Sequence, residues 1–100
     1  MTIVELIHYK LVKGANTDEF LKAAEKMIPE LKTQKGLTDW QLHRGEDGIW
    51  VEILHWKSLD EAKKAAKKVL KLSSVQAFVK FINKPTTESA YLKTVKNLEA

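Results

Sequence analysis

With 100 residues, 44 % of them hydrophobic and 30 % charged, the chain has the size and composition of one globular domain and no room for two independent cores. It contains no cysteine, which excludes disulfides, thiolate metal sites and a cysteine nucleophile and fits a reducing compartment. The net charge of +4 rests on 17 basic residues, of which Arg44 is the one arginine; this is a poor set for phosphate or base recognition, which favours the bidentate guanidinium fork.

The opening residues, MTIVELIHYK, carry a Glu and a His. They lack both the basic segment and the unbroken apolar segment of a secretion signal. No apolar run approaches the ~20 residues that span a bilayer, so a cytoplasmic location without a membrane partner is expected. Residues 2–12 have strand composition and end at Lys13-Gly14-Ala15. Asn16 then caps a helix, with Glu19 three residues on in capping-box position. Phe20, Leu21, Ala24, Met27, Ile28 and Leu31 recur at helical spacing. Pro29 inside that pattern predicts a kink, or a break and restart, because it removes an amide donor. Gly36 ends the element, residues 37–44 read as a strand, GEDG at 45–48 as a turn, and 49–57 as a second strand completing a hairpin. Ser58 with Glu61 starts another helix to about residue 72, whose lysines 63, 64, 67, 68 and 71 form its solvated side. Val75, Phe78, Val79 and Ile82 suggest a further short helix, stopped by Pro85, and residues 86–95 a last strand.

Within this order one phrase occurs twice, VELIHYK at 4–10 and VEILHWK at 51–57, each opening a half whose helix begins with Asp-Glu (Asp18-Glu19, Asp60-Glu61). The order β-α-β-β-α-β built from two related halves is the ferredoxin-like split βαβ unit. The expected fold is therefore α+β: one ferredoxin-like domain over residues 1–100 with an antiparallel sheet. In this reading the two copies of the phrase are the central strands, running parallel to each other, with both helices on one face.

Side chains alternate along a strand, so Val4, Leu6, His8 and Lys10 share one face with Val51, Ile53, His55 and Lys57. Glu5, Ile7 and Tyr9 share the other with Trp50, Glu52, Leu54 and Trp56. The small aliphatic set suits packing beneath the helices. The second set then has no layer of its own, and an exposed apolar patch of several hundred Å² marks a partner or ligand site. A second copy of the chain, sheet against sheet around a cavity, is the expected cover.

Gly36-Leu37, the hairpin Gly48-Ile49-Trp50-Val51-Glu52, and Trp56-Lys57-Ser58 leading into Asp60-Glu61-Ala62 resemble the dimeric α/β-barrel superfamily, and within it the antibiotic-biosynthesis-monooxygenase-like proteins. The resemblance spans nearly the whole chain and implies a homodimer forming a dimeric α/β barrel. It further implies a cofactor-independent, monooxygenase-like enzyme acting on a small aromatic or polyketide-like substrate in a cavity at the dimeric sheet face, with no cofactor. Trp56 matches the tryptophan that lines the pocket in polyketide oxygenases and in haem-degrading members. The haem-degrading pattern also asks for an Asn on the first strand and a ligand His on the second helix. Here Glu5 occupies the matching region and residues 59–82 hold no His, which counts against haem degradation.

Glu5 and Glu52 are the candidate catalytic residues. Side by side among Trp and Ile on the cavity face, their ionisation would meet desolvation and a like charge, raising at least one pKa as a general acid or base requires. The structural alternative has each Glu paired with a Lys, a hydroxyl or an amide across the dimer. Tyr9, Trp40, Trp50, Leu54 and Trp56 are the candidate substrate pocket. Pairing Trp40 with Glu52 gathers the three Trp on the cavity side, whereas a slip of one residue sends Trp40 to the other face. His8, His43 and His55 lack close metal-ligand spacing, so no metal site is expected. Tyr91 fits either the cavity or the dimer edge. An RNA-recognition motif shares the element order, but Glu5 and Glu52 would place negative charge on its base-stacking platform; nucleic acid is not an expected partner. The remaining alternative is a non-catalytic dimeric carrier or sensor for an apolar small molecule.

Overall fold

In the computed structural model, which describes residues 2–100, both long helices start at side chains that satisfy their first amides. Asn16 Oδ1 accepts the Glu19 amide at 3.0 Å to open α1 (Thr17–Leu31). Ser58 Oγ accepts the Glu61 amide at 3.2 Å to open α2 (Leu59–Val69). In place of a full capping box, the Glu61 carboxylate accepts from the Ser58 hydroxyl at 3.0 Å. α1 is one continuous element through Pro29 and ends two residues later, because a proline in the last turn removes a single intrahelical bond. α3 (Ser73–Val79) follows, and Lys63, Lys64, Lys67, Lys68 and Lys71 are all exposed. Gly36 bridges α1 to the sheet at φ +87°, where an added Cβ would stand 2.7 Å from the Glu61 side chain. Its place requires glycine both for the left-handed backbone and for that approach.

The strands β1 (Ile3–Lys10), β2 (Leu37–Arg44), β3 (Ile49–Trp56) and β4 (Glu88–Lys93) form one sheet in the order β2-β3-β1-β4, antiparallel throughout. The central pair therefore runs antiparallel, against the parallel pairing expected from the repeat. The reason is topological. The crossover through α1 returns β2 in the direction of β1, and β3 reverses from β2 in a hairpin before inserting between them. The two copies of the phrase thus meet head to tail, with Glu5 opposite Leu54 and Ile7 opposite Glu52. The glutamates are diagonal neighbours on one face rather than directly side by side.

The helix layer also lies on the face opposite to the one expected. Tyr9, Trp50, Leu54 and Trp56 are buried beneath it, packed with Phe20, Ala24, Met27 and Phe78 in one cluster and with Ala62 and Ala65 in another. Phe20 stands edge-on to Trp50 with ring centroids 5.0 Å apart and stacks on Phe78 at 4.8 Å. Bulk explains the choice: an aromatic ring removes far more apolar surface from water than a valine, so the Tyr/Trp face gains more from a cover. Val4, Leu6, Val51 and Ile53 are left half-buried on the open face. No helix among the described residues is long and apolar enough to cross a membrane.

Candidate active site

The two core clusters do not close on each other. Between them, under α1, α2 and α3 and above β1 and β3, lies a cavity of about 560 Å³ with an overwhelmingly apolar lining. Glu5 and Glu52 face it together with Tyr9, Trp40, Leu54 and Trp56. The cavity therefore sits between sheet and helices within one chain, not at the sheet face where a second copy was expected to enclose it; the reversed helix layer accounts for the difference. Trp50, also expected in the pocket, is on the correct face but beyond the cavity, held by Phe20 and by the Arg44 guanidinium 5.2 Å from its ring. The hairpin register pairs Trp40 with Leu54 and Leu42 with Glu52, two residues from the pairing expected. A slip of two preserves the face, so Trp40 still reaches the cavity.

Each glutamate is braced by an indole. Trp56 Nε1–H donates to Glu5 Oε1 at 3.0 Å, and Trp40 Nε1–H donates to Glu52 Oε1 at 2.9 Å. These bonds run between β3 and β1 and between β2 and β3, so the sheet itself fixes the carboxyl groups. Burial pushes the Glu5 carboxyl above the ordinary carboxylate range; the Trp56 hydrogen bond opposes this and the Glu52 charge adds to it. Glu52 is the drier of the two, 8 % exposed. Burial raises its pKa as well, against the opposing pulls of Trp40 and Tyr9. The Tyr9 hydroxyl is the one buried polar side-chain atom without a hydrogen-bond partner among the described residues. It falls short of a formed bond to Glu52 but lies within its field, and burial first, then the Glu52 charge, push the phenol well above its usual range.

The other singled-out residues lie elsewhere. His8, His43 and His55 are on the open face, where His8 meets Glu88 at 3.4 Å, His55 meets Asp39 at 3.3 Å and His43 meets Gln41 at 2.9 Å. Tyr91 pairs with Glu5 in register and so shares its face, at the partly exposed edge strand, outside the cavity lining. Sequence reasoning missed the opposite wall: Met27 and Leu31 of α1, Val69 of α2, and Val75 and Phe78 of α3. Their helical spacing was legible, but nothing in it distinguishes a residue that lines a void from one that fills the core.

At the level of sequence, no protein family and no curated protein matches the chain. Solved structures do match. SnoaB, a cofactor-independent oxygenase from Streptomyces nogalater, superposes with a TM-score of 0.80 over 99 % of this chain and 98 % of that one, at 17 % identity. Rv0793 from Mycobacterium tuberculosis gives a TM-score of 0.75 over 99 % and 100 % at 12 % identity. MhuD, in a mutant with two manganese protoporphyrin IX molecules bound per active site, gives 0.72 over 98 % and 99 % at 15 % identity. The chain therefore shares the ferredoxin-like fold of these solved structures.

Proposed function

We propose that this protein is a cofactor-independent, monooxygenase-like enzyme acting on a small aromatic or polyketide-like substrate held in the cavity between sheet and helices. The observation that carries the reading is the pair of indole-braced carboxyl groups facing one apolar cavity. A carboxyl with a raised pKa is a stronger base once ionised, and its pKa lies closer to working pH, as proton transfer from a weakly acidic phenol or benzylic C–H requires. The resulting carbanion passes one electron to dioxygen, and the radical pair combines at carbon. The hydroperoxide recovers the proton and loses water, leaving a carbonyl, so that substrate CH₂ plus O₂ gives C=O plus H₂O. The likeness to a cofactor-independent oxygenase supports the same reading. A hydroxylated anthrone incubated with the protein, dioxygen and a chelator, without added flavin, tests it. The expected product is the quinone carrying one oxygen atom from labelled dioxygen, formed at least ~100-fold more slowly by Glu52→Gln. Saturable binding without product would make the protein a carrier or sensor, and no binding would remove the cavity from consideration.

A homodimer in the cytoplasm is part of this reading, with the interface moved to the open face. There Val4, Leu6, Val51 and Ile53 form a half-buried apolar centre, flanked at diagonally opposed corners by His8–Glu88 and His55–Asp39. An isologous dimer would set this patch against the same patch of a second copy.

A further inference from the structure

We infer that the molecule the cavity takes is an aromatic amine, its ammonium group seated against the Glu5 carboxylate and within the field of Glu52, which stays free as the base of the proposed reaction; this rests on the cavity being the substrate site. Charge is the first reason. Ion pairs among the described residues join His8 to Glu88, His55 to Asp39 and Lys64 to Asp60, and none involves either cavity glutamate. Each of these two has one oxygen bonded to an indole N–H. Among the described residues their second oxygens form no hydrogen bond, and the Tyr9 hydroxyl, itself without a formed bond, stands close to Glu52. Two acids, Glu52 buried and Glu5 half-buried, converging on one void without an ion-pair partner are costly to ionise, and a cation entering with the ligand reduces that cost. Lys84 also borders the cavity but makes no ion pair with either glutamate.

The walls supply the second reason. Tyr9, Trp40, Trp56 and Phe78 border the same cavity, and aromatic rings with acidic groups make a favourable enclosure for an ammonium ion. At about 560 Å³ the space far exceeds a bare ammonium group and is of the size that holds drug-sized ligands. An apolar ring system therefore fills the remainder. Because burial holds both carboxyl groups partly toward the protonated form, entry of the amine also displaces protons.

A matched set of three naphthalene derivatives decides the point: 2-(2-naphthyl)ethylamine, the corresponding alcohol and the corresponding carboxylic acid, titrated at pH 7 by calorimetry and indole fluorescence. The amine is expected to bind at least about tenfold more tightly than the alcohol, with the acid weakest. Its binding heat should vary with the ionisation enthalpy of the buffer as protons are released. Glu5→Gln and Glu52→Gln, checked for folding by thermal melts, should each reduce the amine's advantage and leave the alcohol's affinity nearly unchanged. An alcohol or acid that binds wild-type protein as tightly as the amine overturns the inference while leaving the cavity as a binding site. Failure of all three to bind overturns the cavity reading as well.

Discussion

The two faces of the sheet are built from one repeated phrase and treat charge in opposite ways. On the open face each half places a histidine beside an acid, His8 with Glu88 and His55 with Asp39, where water already screens both partners. On the helix face each half places a glutamate in an apolar cavity with one indole N–H and, among the described residues, no ion pair. Stability alone would favour the reverse, because an unpaired buried acid costs folding free energy and a solvated pair contributes little. The helix face has retained that cost at the buried Glu52 and part of it at the half-buried Glu5, and a requirement of the site for two converging carboxyl groups accounts for it.

The contrast breaks most severely at Leu54, 7 % exposed on the helix face. Leu54→Asp buries a third carboxyl group beside Glu5 and Glu52 in the cavity wall and should cost about 3–5 kcal/mol, seen as a largely unfolded chain by circular dichroism. Next in size is Trp56→Phe. It removes the N–H held by Glu5 and should cost about 1.5–3 kcal/mol. The Glu5 carboxyl should then titrate still higher than in the wild type, which carboxyl NMR shifts report. A Glu5 titration unchanged in Trp56→Phe would mean that the indole does not brace it.

Glu52→Gln probes the cost of the acid itself through pH. The folded-state pKa of Glu52 is raised, so its favourable contribution is fully present below the unfolded value near 4.5 and is lost as pH rises through the folded value. Gln keeps an acceptor for Trp40 and does not titrate. The melting temperature of the variant relative to wild type should therefore increase from pH 4 to pH 8. A constant difference would show that Glu52 ionises without penalty. The smallest effect on the monomer belongs to Ile53→Lys on the open face, within ~1 kcal/mol of wild type. Sedimentation is nevertheless expected to give a dimer for wild-type protein and a monomer for that variant. A wild-type monomer at micromolar concentration would remove the homodimer.

Local chemistry is legible in the amino-acid sequence by itself. Asn16 and Ser58 announce helix starts because their oxygens can satisfy free amides. Gly36 and the GEDG turn mark the places where the backbone must reverse or turn left-handed. The alternation in VELIHYK and VEILHWK correctly sorts Glu5, Tyr9, Glu52, Leu54 and Trp56 onto one face, because strand geometry alone dictates it. The repeat likewise identifies the fold through its own symmetry. Three things lie beyond such reasoning. Which face the helices cover depends on the competition between two apolar surfaces for one layer, and that is settled by the summed area each buries. Which strand lies beside β1 depends on where the hairpin inserts, although the crossover and the hairpin together already make β3 antiparallel to β1. Whether the space over Glu5 and Glu52 is filled or hollow depends on how far Met27, Val69 and Phe78 stand from the sheet. Periodicity assigns side chains to a surface, but only the packing of distant segments sets the distance between two surfaces, and in this protein that distance makes the site.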